Sequence, residues 1–263
     1  MKIVVCIKQV PDTTEVRLDP VKGTLIREGV PSIINPDDKA GLEAALRIRE
    51  QAGGTVSVVS MGPPQADVAL REALAMGADE AYLVTDRAFG GADTWATSYT
   101  IATAVKRIGF DLIICGRQAI DGDTAQVGPQ IAQHLGLPQV SYVEGIESIE
   151  NNKLVLRRQF EDRYHLVEVE LPCLITTLGE LYEPRYMSVA GVFDAYREKE
   201  VKKLTFADME AELDVSNIGL KGSPTNVKAS FTKQPKGKGE KYNTDADEAV
   251  EIIVSKLREK NLI

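Results

Sequence analysis

Asp111 to Gly136 reads DLIICGRQAIDGDTAQVGPQIAQHLG, and the order of its residue types decides the class of the fold. The apolar run Leu112-Ile113-Ile114-Cys115 predicts a strand buried on both faces. Gly116 breaks it into a polar loop, and a helical pattern begins near Thr124. That sequence of elements puts the loop at the carboxyl end of a strand in an open parallel sheet, where the free N–H groups of the next helix face a crevice. An anion is the natural guest there. Gly116 and Gly122 permit backbone conformations closed to other residues, Asp123 or Thr124 suits a helix cap, and Arg117 offers a planar cation to a phosphate. The stretch therefore reads as a nucleotide-phosphate loop. A competing reading is a plain strand-to-helix connection in which Asp121 and Asp123 only cap the helix. Beside a pyrophosphate those acids serve either as caps or as partners of ribose hydroxyls. The spacing is neither GxxxxGK[ST] nor GxGxxG, so no generic phosphate motif applies.

The segments before this loop repeat the alternation of strand and helix. Lys2 to Gln9 reads as the first strand, ended by Val10-Pro11-Asp12, and Glu15 to Val30 as a two-stranded excursion turning near Lys22-Gly23. Asn35-Pro36-Asp37-Asp38 starts a helix: Asn35 caps, Pro36 takes the first position, and the acids sit at the positive end of the dipole. Cap chemistry and a nucleotide role for Asn35 both remain open on these residues alone. Gly53-Gly54 stops that helix. Thr55 to Met61 is a strand, Pro64 to Met76 a helix with Gly77 behind it, and Ala81 to Thr85 a strand. A helix capped by Asp93 or Thr94, with Trp95 packed in it, runs to Ile108. Val140 to Val143 forms a fifth strand. The fold class is α/β, a doubly wound, mostly parallel Rossmann-like sheet. Its switch point lies between the first strand and Leu112 to Cys115, gathering Cys6-Ile7-Lys8, Asn35, Met61 and the Gly116 loop at one crevice.

From Ile146 to Leu178 the rhythm changes to antiparallel strands, turning at Asn151-Asn152 and near Glu161-Asp162. Pro184 to Val189 then leads into an amphipathic helix that ends in the charged run Arg197 to Lys203. Gly219 to Gly239, rich in Gly, Lys, Pro and Ser, reads as an extended arm, and Asp245 to Lys260 as a short amphipathic helix. Such a helix is marginal in water by itself and must dock, on this chain's own core or on a partner. The organisation is thus a nucleotide-binding domain over 1–218 and an arm with a C-terminal helix over 219–263.

With 263 residues the chain can bury a large core, and its net charge of -8 argues against a nucleic-acid surface. Cys6, Cys115 and Cys173 lie in separate apolar runs without CxxC spacing, so they read as buried free thiols of a reducing compartment rather than metal ligands. His134 and His165 have no ligand pattern around them. The opening MKIVVCIKQVPD enters a strand directly, with an apolar run too short for a signal peptide, and no run approaches the roughly 18 apolar residues of a membrane span. The expectation is a cytoplasmic protein with no membrane insertion and no metal.

Five stretches in order, VVCIKQVPD, INPDDKAGLEAALRIRE, VSMGPPQADVALREALAMGADEAYLV, GRQAIDGDTAQVGPQIAQHLGLP and LYEPRYMSV, resemble the beta subunit of electron transfer flavoproteins along nearly the whole chain. The resemblance implies one adenine-nucleotide-binding α/β domain paired with an alpha subunit that carries an electron-transferring FAD. It assigns nucleotide contacts to Cys6, Lys8, Asn35, Pro36, Asp37, Asp38, Met61, Gly116, Arg117, Gln118, Ala119, Asp121, Gly122, Asp123, Thr124, Ala125, Gln126 and Val127, and turns the ambiguity of Asn35 and Asp123 toward binding. Ordinary members hold AMP in this site. Bifurcating members hold a second FAD that takes hydride from NADH, and the small residues Gly122 and Ala125 resemble that pattern. The same resemblance implies electron delivery to ferredoxin or flavodoxin and to an acyl-CoA dehydrogenase, with no catalytic side chain from this polypeptide. It makes 182–191 the partner-recognition loop, with Glu183, Pro184, Arg185, Tyr186 and Met187 in it and Val189 as its apolar anchor, and it wraps the C-terminal helix on the alpha subunit.

Overall fold

Lys2–Cys6 (β1) carries KIVVC, and its last four residues are buried in succession, as a strand covered on both faces must be. The computed structural model describes residues 1–12, 17–18, 25–26, 31–226 and 239–263. Gln9–Pro11 (β2) pairs antiparallel with Ser32–Ile34 (β5), and Arg17–Leu18 (β3) with Leu25–Ile26 (β4). The expected turn at Lys22-Gly23 lies outside the described residues. Pro36–Ala52 (α1), Thr55–Met61 (β6), Asp67–Met76 (α2), Glu80–Val84 (β7), Thr94–Ile108 (α3), Leu112–Gly116 (β8) and Val127–Leu135 (α4) then alternate as expected. Parallel β6 and β8 flank β1 on its two sides, with β7 beyond β6. The crossovers therefore reverse direction between β1 and β8, which opens the crevice there. Leu42, Leu46, Leu70 and Leu74 of α1 and α2 bury one face of the sheet. Ile101, Val105 and Ile131 of α3 and α4 bury the other.

The second half departs from the sequence reading. Gln139–Glu150 (β9), Lys153–Gln159 (β10) and Tyr164–Glu170 (β11) form the expected antiparallel group, with Asn151 and Asn152 both at positive φ in the first turn. Cys173–Thr177 (β12) does not belong to it. Its five residues are all buried, and it inserts between β8 and β9, parallel to both. Val140 to Val143, expected as a separate strand, is the start of β9 and is parted from β8 by β12. Continuous burial is the mark of an interior parallel strand, and β12 shows it.

Val189–Arg197 (α5) is the expected amphipathic helix. The charged run behind it contains Val201–Leu204 (β13), which pairs in parallel with β7 and closes the nine-stranded sheet opposite β11. Exposed Lys202 and Lys203 give that edge the charge that discourages further pairing. The first strand also ends early. Lys8 N–H turns to the Asp38 carboxylate, and residues expected to stop β1 become β2 instead. Phe206–Met209 (α6) follows β13, and residues 219–226 are no free arm: Leu220 N–H donates to Gly90 O, and Asp93 holds Thr225 by N–H and hydroxyl. Ala246–Glu259 (α7) completes the described chain and buries no residue.

Helix α1 crosses β8 and β12 at Gly41, where an added Cβ would stand 2.8 Å from Thr177 Oγ1 and 3.0 Å from Ile114 Cγ2. Gly41→Val should therefore lower stability by about 1–3 kcal/mol through overpacking. A thermal-unfolding midpoint several degrees below wild type is the expected measurement.

Candidate functional site at the carboxyl edge of the sheet

Every residue expected around the nucleotide comes to the carboxyl ends of β1, β6 and β8 or to the first turn of α1. Asp38 is the centre of this arrangement. Its Oδ2 accepts from Lys8 N–H at 2.7 Å and its Oδ1 from Gly116 N–H at 2.9 Å, which ties the ends of β1 and β8 together. Burial pushes this carboxyl up to about 7, against the opposing pull of those hydrogen bonds. Asp37 is also raised by burial, while Arg117, with Nε 3.4 Å from its Oδ2, pulls the other way. The Arg117 guanidinium thus leans toward Asp37, and no phosphate is needed to explain its position.

Asn35 is fully buried and does not cap α1. Its Oδ1 accepts from Ile120 N–H at 3.0 Å and its Nδ2 donates to Gln118 O at 2.8 Å. The cap reading of its side chain is therefore corrected: it braces the loop from beneath. Asp123 and Thr124 do not cap α4 either. Asp123 and Ala125 stand at φ 51° and 52°, which interrupts the helical pattern, and α4 starts at Val127. Its N-cap, Gln126, supplies no side-chain hydrogen bond to that terminus.

The loop acids have partners. Asp121 accepts from Lys8 Nζ at 2.7 Å and Asp123 from Gln118 Nε2 at 3.0 Å. Gly122 N–H and Asp123 N–H both donate to Ala119 O, and a Cβ on Gly122 would meet nothing within 4 Å. Residues 121–124 are exposed above the crevice, Pro36 is exposed at the first position of α1, and Met61 is half-buried at the end of β6. Cys6 and Cys115 are register partners on adjacent strands. A hydrogen bond between their thiols and burial together raise Cys115 well above the ordinary thiol range. All three cysteines are free and buried.

Thr177 belongs to this site and was missed. Its hydroxyl donates to Asp37 O at 3.0 Å and Cys115 O at 3.2 Å, and its carbonyl accepts from Arg117 N–H. The threonines closing the apolar run Cys173 to Thr177 were the available signal, hidden by the antiparallel reading of that run. In the segment expected to recognise a partner, Tyr186 and Val189 are 93% and 91% exposed and Met187 about half exposed, whereas Arg185 turns inward onto α1. Glu183 is exposed and Pro184 partly covered.

The family model for the electron transfer flavoprotein domain matches residues 22–209. The chain belongs to the electron transfer flavoprotein family. It is 60% identical over 263 residues, 100% of both chains, to the electron transfer flavoprotein subunit beta of Clostridium acetobutylicum. It is 56% identical over 266 residues, again 100% of both, to the caffeyl-CoA reductase-Etf complex subunit CarD of Acetobacterium woodii. To the acryloyl-CoA reductase electron transfer subunit gamma of Anaerotignum propionicum it is 46% identical over 270 residues, covering 100% of each. Electron transfer flavoprotein beta subunits pair with an alpha subunit, and this chain is of that type. Among the described residues no helix is long and apolar enough to cross a membrane, and no group of His, Cys, Asp and Glu is arranged to hold a metal.

Two predictions follow from the bracing of the electron transfer flavoprotein crevice. Asn35→Ala orphans Ile120 N–H and Gln118 O, at a cost of about 1–3 kcal/mol. Faster amide exchange across 118–123 than in the wild type checks it. Asp38 ordinarily titrates near 3.8 and in the fold near 7, so its contribution to stability is greatest below about pH 4 and is lost as pH rises through 7. Asp38→Asn cannot titrate, and the difference between wild-type and variant unfolding free energies should shift in favour of the variant from pH 4 to pH 7.

Proposed function

We propose that this chain is the FAD-holding beta subunit of a bifurcating electron transfer flavoprotein. When bound, that FAD takes hydride from NADH and sends one electron to ferredoxin or flavodoxin and the other, through the alpha-subunit FAD, to an acyl-CoA dehydrogenase. One observation carries the reading. The loop from Gly116 to Val127 ends at a helix N-terminus that its N-cap side chain leaves uncapped, and there is open space at Gly122. An uncapped terminus suits the diphosphate of a dinucleotide. The space at Gly122 lets the ligand continue beyond the point where AMP stops.

In this reading the chain's residues bind and orient. Val127 and Gly128 offer the N–H groups of the first turn, and the exposed Asp121 and Asp123 suit ribose hydroxyls. Asn35 and Asp38 keep the loop backbone in place. No side chain is asked for acid, base or nucleophilic work, because hydride and electron transfer belong to the flavin. The relatives named for caffeyl-CoA and acryloyl-CoA reductase complexes support an acyl-CoA dehydrogenase as the docking partner. Helix α7, with Val250 and Ile253 exposed, suits docking on the alpha subunit.

Denaturing extraction of the purified heterodimer, followed by chromatography, should yield two FAD and no AMP per dimer. One FAD with one AMP overturns the assignment. Val189→Asp should weaken electron delivery to the dehydrogenase by more than tenfold, since a charge on an apolar anchor forfeits a hot-spot contact. Reduction of bound flavin by NADH, followed by bleaching, should persist in that variant.

A further inference from the structure

We propose that Glu43 is the positioning residue of the recognition loop: a buried carboxylate on α1 that grips Arg185 and so holds Tyr186 to Val189 in a docking-ready conformation. This rests on the reading of that loop as the acyl-CoA dehydrogenase contact. Glu43 is 2% exposed, although most glutamates sit in water. Its Oε2 accepts from Arg185 N–H at 3.1 Å and Nε–H at 2.8 Å, and its Oε1 accepts from Arg185 Nη2 at 3.1 Å and Arg47 Nε at 2.7 Å. Glu50, two turns further along α1, accepts from Arg185 Nη1 at 2.6 Å. Arg47 also covers the Tyr182 ring at 4.4 Å. Positions 43, 47 and 50 form one stripe of the helix, and the whole stripe is spent on 182–185.

The far end of the loop is fixed independently. Ser188 Oγ accepts from Gly191 N–H, and Gly191 lies so close to α2 that a Cβ on it would come 2.3 Å from Ala75 O. Arg71 of α2 donates to Ala195 O. Between these two posts Tyr186 and Val189 reach almost fully into solvent. A short exposed segment held at both ends loses little freedom when a partner covers it, which is how pre-organisation raises affinity. A fork of several charge-assisted hydrogen bonds on a buried carboxylate is the stiffer of the posts. Burial alone pushes Glu43 up, yet its Arg185 and Arg47 bonds hold it below the ordinary range.

Glu43→Gln in the full heterodimer tests this. The KM for the acyl-CoA dehydrogenase should rise about tenfold, equivalent to roughly 1.4 kcal/mol, with kcat at saturating dehydrogenase retained. Amides of 186–190 should exchange faster. Because Glu43 acts only through the loop, adding Glu43→Gln to Val189→Asp should change the KM no further. Glu50→Gln, at an exposed position that leaves the fold intact, should give a smaller rise in KM, and Arg185→Lys an intermediate one. An unchanged KM and unchanged exchange in Glu43→Gln, or effects that add to Val189→Asp, overturn the inference. If Val189→Asp itself leaves the KM unchanged, it is the docking reading that fails, while faster exchange in Glu43→Gln still reports the grip on the loop.

Discussion

Two backbone N–H groups, Lys8 at the end of β1 and Gly116 at the end of β8, converge on one carboxylate, and the crevice keeps its form because of that convergence. At a switch point the chain leaves adjacent parallel strands in opposite directions, so their last N–H groups lose their ladder partners. A buried donor left unsatisfied costs about 1–3 kcal/mol. Asp38 answers two of them from the first turn of α1, where the helix dipole favours its charge. Its own burial opposes that charge and pushes the carboxyl up to about 7. Position thus takes precedence over the comfort of the acid.

Because Asp38 sits on α1, the crevice is referenced to that helix, and so, through Arg185, is the segment 182–189. Asp38 and Glu43 are five residues apart, about 7.5 Å of helix rise, and Glu50 lies about 18 Å from Asp38 along the same rod. Gly41 lets the rod lie against β8 and β12 between these groups. A single rigid element therefore positions both the loop after β8 and the segment 182–189, so errors of placement in one are shared by the other. Electron transfer between proteins is sensitive to such placement, and one common support is a direct way to control it.

Strands β1, β6, β7 and β8 and the first three helices were legible because local residues specify them: apolar runs in the strands, an Asn-Pro start for α1, Asp93 before α3. What failed depends on residues distant in sequence. The Asn35 side chain occupies a capping position, yet its partners lie 83 and 85 residues away, and no local pattern reveals that it turns to them. Thr177 and β12 were hidden because a five-residue apolar strand looks alike in parallel and antiparallel company. Val201–Leu204 escaped because an edge strand with outward lysines has the composition of a solvated helix. Positive φ at Asp123 and Ala125 delays α4 to Val127, and nothing in those residue types demands it. The crevice was legible as a set of segments, and its internal bracing was not.

That bracing also resolves why a site for an anionic ligand carries two acids in its loop. Lys8 lies 2.7 Å from Asp121 and Arg117 leans on Asp37, while Asp123 takes a hydrogen bond from the uncharged Gln118, so the loop carries no surplus positive charge. Attraction for phosphate then falls to the backbone, chiefly the uncapped terminus of α4. Such a terminus contributes about 0.3–1 kcal/mol at an exposed site and up to about 2 in partly buried geometry. A term of that size cannot retain a small anion against water. It can orient a large ligand whose binding comes mainly from its adenine and ribose groups and from apolar contact, and for that ligand a loop with no surplus positive charge suffices. On the proposed reading, the absence of a lysine-bearing phosphate motif follows from ligand size, since a nucleotide held along its whole length needs direction at the phosphates more than strength.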